Sequence, residues 1–195
     1  MTPDAGRAGG RARRVDADRN VETIVQAGLR TLARDPRASM ATIASASGLA
    51  RATVYGHFPT SASLMREIFE RAITETEQVL AALDMEGPAP ATLERFMRAT
   101  WESADPYRLV RAMVPADEVA HRASWVKERL EELLARGQRN GELRDDVPAR
   151  WLADVVELML FRTSDGVAHG ELDADSALDA LLHSMRVVTE PVRRA

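Results

Sequence analysis

The chain has 195 residues and a formal net charge of −4, and its apolar and charged fractions, 45% and 29%, are those of a globular protein. It has no cysteine, which excludes disulfides, thiol catalysis and cysteine-ligated zinc and fits a reducing cytoplasm. No apolar run approaches the ~20 residues of a membrane span, and the first residues lack the apolar stretch of a signal peptide. A cytoplasmic protein without membrane contact is expected. The charge is unevenly spread: residues 1–58 carry nine arginines against five acidic residues, +4, while the remainder carries 17 basic against 25 acidic residues, −8. A basic head on an acidic body suits a nucleic-acid reader whose other half has a separate task.

Residues 1–15 are rich in Gly, Ala and Arg, with Arg7, Arg11, Arg13 and Arg14, and hold almost no large apolar side chains. They cannot bury enough surface to offset ordering entropy and read as a disordered basic arm. Helical spacing begins at Val21, where Val21, Ile24, Val25, Gly28 and Leu32 share a face, and Pro36 ends it. Ser39 reads as the N-cap of a short helix holding Ile43 and Ala46, stopped at Gly48. A second short helix runs from about Arg51 to His57, with Val54 and Phe58 as its apolar members. Ser61 then caps a long helix carrying Met65, Ile68, Phe69, Ala72, Ile73, Val79, Leu80 and Leu83.

Further helices are expected over about 91–103, after Asp105-Pro106, over 119–138, over 151–167 and over 174–188. The fourth of these is apolar on nearly every side, through Trp151, Leu152, Val155, Val156, Leu158, Met159, Leu160 and Phe161, and should be buried all round. No strand-like alternation appears. The expected fold is all-α: a three-helix N-terminal domain (16–60) after the arm (1–15), joined by a long fourth helix to a larger helical domain (61–195), about nine helices in total.

The stretch 39–58 carries the chemistry. Two helices of about two turns joined at Gly48 have the dimensions of a helix-turn-helix. In the second, Val54 and Phe58 bury while Arg51, Ala52, Thr53, Tyr55 and His57 project outward. That face joins a bidentate donor, a hydroxyl, a phenol and an imidazole around a residue small enough for close approach, the groups that reach base edges and phosphate oxygens. No G-x-S-x-G, P-loop, G-x-G-x-x-G or H-E-x-x-H occurs, and the adjacent pairs Asp145-Asp146 and Glu131-Glu132 are not poised carboxylates, so no enzyme is expected. His169 and His183 stand alone, and no metal or other cofactor is expected. Phe96, Met97, Trp101, Tyr107, Met113 and Trp125, with Arg111 and His121 as polar anchors, suit an apolar ligand pocket. Aromatics and methionines at helical spacing are more often plain core, and that alternative stays open.

The residues Ile24-Val25-Gln26-Ala27-Gly28-Leu29, Ser39-Met40-Ala41-Thr42-Ile43-Ala44, Gly48-Leu49 and Thr53-Val54-Tyr55-Gly56-His57-Phe58-Pro59, then Leu64, resemble the N-terminal helices of the tetracycline-repressor-like (TetR) family of bacterial regulators. Gly137-Gln138-Arg139-Asn140-Gly141-Glu142-Leu143-Arg144 is similar to the segment before the last two helices in many members. The resemblance implies that Arg51 and Ala52 sit over bases, that Thr53, Tyr55 and His57 clamp phosphates, and that Ser39 caps its helix beside a phosphate. It also implies a homodimer through the last two helices and a small-molecule effector bound by the middle ones. The chain departs from the family at Thr31-Leu32, at Pro36, at Ala50, where a capping Ser is common, and at Ser61, where Lys is usual. The function expected is a ligand-responsive DNA-binding transcription regulator, a repressor on a palindromic operator released by a small apolar or amphipathic molecule. The alternative is a helical ligand-binding module with vestigial DNA binding.

Overall fold

The computed structural model describes residues 5–108, 110, 113–114, 118, 121 and 124–192, with side chains from residue 15 onward. Among the described residues all secondary structure is helical: α1 (Ala5–Arg34), α2 (Met40–Ser47), α3 (Arg51–His57), α4 (Ser61–Ala81), α5 (Ala89–Ala104), a 3-10 turn (Asp105–Tyr107), α6 (Ser124–Arg139), α7 (Ala149–Ala168) and α8 (Ala174–Thr189). No helix among them is long and apolar enough to cross a membrane. The chain divides into two compact units, residues 1–70 and 71–195. The division falls inside α4 rather than at residue 60, because the first half of α4 supplies core to the first unit.

In that unit α1 buries Ile24, Val25, Ala27 and Leu32, α2 buries Met40, Ile43 and Ala44, and α4 adds Leu64, Ile68 and Phe69. A side chain at Gly28 would meet Ile68 Cδ1 and Leu64 Cδ2 at 3.3 Å, so this glycine lets α1 and the start of α4 approach closely. Ala46, which the sequence places on this helix with Ile43, is exposed. Because α2 starts at Met40, the i, i+3, i+4 stripe is Met40, Ile43 and Ala44, and Ala46 falls on the opposite face.

The expected disordered arm at 1–15 is replaced from Ala5 onward by backbone continuous with α1. Few apolar side chains limit what this stretch can bury, but Ala and Arg are strong helix formers and an existing helix extends without a new nucleus. Residues 1–4 lie outside the described residues. The cap of α4 is Thr60 rather than Ser61. Thr60 Oγ1 accepts the Ser63 N–H at 3.1 Å, and Ser63 Oγ accepts the Thr60 N–H at 3.3 Å, a reciprocal pair at the helix start.

The second unit has one core, built from Leu80 of α4, Leu93, Phe96, Met97 and Trp101 of α5, Leu130, Leu133 and Leu134 of α6, Leu152, Ala153 and Val156 of α7, and Ala177, Leu181, Leu182 and Met185 of α8. The turn after α6 is locked from several sides. Gly141 adopts a left-handed conformation (φ +71°), Leu143 is buried, and Gln138 Nε2 donates to the Arg144 and Val147 carbonyls at 2.8 Å. The Glu142 carboxylate accepts the Ala89 N–H at the start of α5. The residues that resemble the family in this stretch are therefore the parts of a folded turn.

Contrary to the expectation for 151–167, α7 is not buried all round. Leu152, Ala153 and Val156 are buried, but Trp151 is 53% and Leu158 63% exposed. Among the described residues, the main packing partners of α7 are α6 and α8.

Candidate nucleic-acid interface

The site is built on three short segments of the first unit. Ser39 takes an extended conformation (φ −77°, ψ 157°), and its Oγ accepts the Thr42 N–H at 3.1 Å, capping α2. Gly48 closes α2 in the left-handed region (φ +71°) with its N–H on the Ser45 carbonyl. Ser47, a residue the sequence reading did not single out, ties the turn. Its Oγ donates to the Ala44 carbonyl at 2.7 Å and accepts the Leu49 N–H at 3.2 Å. The signal was there as a Ser immediately before the helix-breaking Gly48.

Ala50 opens α3 without a side-chain cap. Its carbonyl nevertheless takes the Thr53 and Val54 N–H groups at 2.9 and 3.1 Å. Val54 and Phe58 are buried, each contributing about 1.5–3 kcal/mol of apolar transfer, which fixes the rotation of this seven-residue helix. The opposite face is thereby presented to solvent: Arg51, Ala52 and Tyr55 are exposed, Tyr55 at 39%, and Thr53 and His57 are partly so. Gly56 is also exposed, with nothing within 4 Å of where a side chain would begin. Of the five α3 residues named from sequence, Arg51, Ala52 and Tyr55 are exposed and lie within about 100° of one another around the helix, Thr53 and His57 lie further round and are partly exposed, and Ser39 is exposed at the start of α2. The face carries cationic, hydroxyl, phenol and imidazole donors with nothing bulky at Ala52 and Gly56 to hold a partner off. Such a surface can donate to phosphate oxygens and base edges together.

The expected pocket residues fare differently. Phe96, Met97 and Trp101 are members of the second unit's core, and Tyr107 is buried in the 3-10 turn. Trp125 is partly buried against that core, whereas Met113 and His121 are exposed. Arg111 lies outside the described residues. A groove of about 440 Å³ between α7 and α8 is lined instead by residues such as Met159, Arg162, Leu172 and Ser176. Helical spacing reports burial, and a core stripe and a pocket lining give the same spacing. Arg108, which the sequence reading did not name, is a buried cation: it stands 4.0 Å over the Trp101 ring and pairs with Asp105 at 2.8 Å.

The two-unit helical chain with a solvent-facing helix-turn-helix has the fold of TetR-like transcriptional regulators. A transcriptional regulator from Saccharomonospora viridis, solved in complex with choline, matches with a TM-score of 0.71 at 18% identity, covering 89% of this chain and 98% of that one. LfrR, the TetR-like regulator from Mycobacterium smegmatis solved in complex with proflavine, matches at 0.64 and 21% identity, covering 88% and 96%. NalD, the secondary repressor of the MexAB-OprM multidrug efflux pump in Pseudomonas aeruginosa, matches at 0.64 and 19%, covering 90% and 98%. No protein-family model and no curated protein matches the sequence.

Proposed function

We propose that this protein is a ligand-responsive, DNA-binding transcription regulator, a repressor acting as a homodimer, and not an enzyme. The observation that carries the reading is the α3 face: Arg51, Ala52, Thr53, Tyr55 and His57 turned to solvent by the burial of Val54 and Phe58. In this reading Arg51 and Ala52 lie over bases, Thr53, Tyr55 and His57 hold phosphates, and Ser39 brings the N-terminus of α2 to a further phosphate. Two α3 helices of a dimer enter successive major grooves, so the operator is palindromic with half-sites about 10 bp apart.

The dimer forms through α7 and α8. Trp151 and Leu158 on α7 and Val187 on α8 are each more than half exposed, and covering a side chain of this kind is worth about 1.5–3 kcal/mol. A small molecule bound by the second unit favours the DNA-incompetent state, and operator affinity falls by the ratio of its affinities for the two states. The complexes of the two similar regulators with choline and proflavine support a small organic effector. α4 begins in the first unit and ends in the second, and it is the element through which this coupling runs.

Selection of bound duplexes from a random library by the purified protein tests the reading. A palindrome with half-sites one helical turn apart is the expected result, with log affinity falling linearly with log salt. No enriched motif from a folded dimer at low salt overturns it and leaves a helical ligand-binding module.

A further inference from the structure

Among the described residues, four buried side-chain nitrogens have no hydrogen-bond partner: Arg95 Nε, Arg108 Nε, Arg108 Nη1 and Trp125 Nε1. Arg95 has an evident structural use, since its Nη2 donates to the Asp84 and Glu86 carbonyls at 3.2 and 2.8 Å. Arg108 does not. It is 4% exposed, and among the described residues its Nη2 donates to Asp105 Oδ1 at 2.8 Å while Nε and Nη1 have no acceptor. Asp105 is itself largely exposed, so much of its charge is spent on water. Burial pulls the guanidinium below its ordinary value, and Asp105 offsets this only in part. A buried donor without an acceptor is costly, and a buried charge more so, and such groups persist where something else satisfies them.

We infer that the second unit binds a small organic anion, a carboxylate on an apolar or aromatic body, with Arg108 Nε and Nη1 as the donors to its oxygens. The surroundings select the class. Trp101 covers one face of the guanidinium, Tyr107 beside it in sequence is buried, and Trp125 adds an indole N–H without an acceptor against the same core. Arginine's delocalised charge matches a carboxylate, and an apolar shell disfavours strongly hydrated inorganic anions. The aromatic face that would otherwise attract a cationic ligand is already occupied by the protein's own cation. The inference rests on the reading of the second unit as an effector domain and names the effector's charge.

The test uses the full-length protein with benzoate, 2-naphthoate and octanoate, each beside an amine of matching size, read by tryptophan fluorescence and by thermal shift. Expected are saturable binding of at least one carboxylate, no comparable binding of its amine, and a loss of about tenfold or more in affinity in Arg108→Gln. Arg108→Lys, which keeps charge and stem but not the guanidinium donors, weakens the same carboxylate while keeping the fold if the glutamine variant does not. Equal binding of acids and amines, carboxylate binding unchanged in a folded Arg108 variant, or no carboxylate binding up to about 5 mM, where affinities are already near the weakest useful range, overturns the inference. An operator released only by other molecules leaves the regulator reading standing without this site. A carboxylate that binds through Arg108 but never changes DNA occupancy does the reverse.

Discussion

Leu143 fills the space that a side chain at Gly137 would need. A Cβ there would lie 2.5 Å from Leu143 Cδ1 and 2.7 Å from Ala89 Cβ. The last turn of α6, the start of α5 and the loop before α7 therefore converge on a position where only hydrogen fits. Gly137→Ala is expected to destabilise the protein by about 1–3 kcal/mol, the usual cost of overpacking, measured by urea unfolding. Gly56→Ala is the opposite case. With open space around it and ordinary helical backbone, it should gain about 0.5–1 kcal/mol. Equal effects at the two glycines would refute the packing account.

Ala50 stands at the N-cap of α3 with suitable backbone (φ −58°, ψ 138°) and no side-chain bond to give. Ala50→Ser should supply the missing acceptor and stabilise the first unit by about 1 kcal/mol. Amide exchange across α3 should slow with it. An unchanged exchange profile would show that the N-terminus of α3 is satisfied by other means.

Arg51 and Tyr55 are given different tasks, so their variants should separate. Arg51→Ala should relax preference at one symmetric base-pair position by about 1–3 kcal/mol, seen as a change in the selected sequence logo. Tyr55→Phe should weaken all sequences about equally and leave the logo intact. A logo altered by Tyr55→Phe, or untouched by Arg51→Ala, reverses the assignment.

Leu158 is 63% exposed, so its replacement by Glu leaves the folded chain's own core untouched. Under the α7–α8 dimer proposal, Leu158→Glu should give a monomer by light scattering at micromolar concentration, with helicity retained. It should also lose tight operator binding, because two half-sites no longer act together. A dimer that survives this change places the interface elsewhere.

Asp173 caps α8: its Oδ2 accepts the Ser176 N–H at 3.1 Å and Oγ–H at 2.8 Å, and the backbone bond above all holds its carboxyl below the ordinary aspartate range. A carboxyl lowered on folding stabilises above its unfolded value, near 3.9, and loses that contribution as pH falls through the folded value. Asp173→Ala should therefore unfold earlier than the parent in urea at pH 7, and the gap should narrow below about pH 4. A gap independent of pH would mean that the charge plays no part.

Apolar spacing, with Pro36, Gly48, Pro59 and Gly141 as punctuation, was enough to read an all-helical chain and to put Val54 and Phe58 inside and Arg51, Tyr55 and His57 outside. A helix of 3.6 residues per turn leaves no choice about which side chains share a face. Spacing does not say what covers a face. Phe96, Met97 and Trp101 pack as core, while Trp151 and Leu158, on an equally apolar helix, are left in solvent. Nor does it reveal partners far apart in the chain: Glu142 caps α5 at Ala89 across 53 residues. Arg108 looked like any charged residue beside a proline turn until the fold put it over Trp101 with two nitrogens unpartnered. Local geometry belongs to the sequence because it depends on neighbours a few bonds away. Desolvation and unmet hydrogen bonds depend on which distant surfaces meet, and only the tertiary structure decides that.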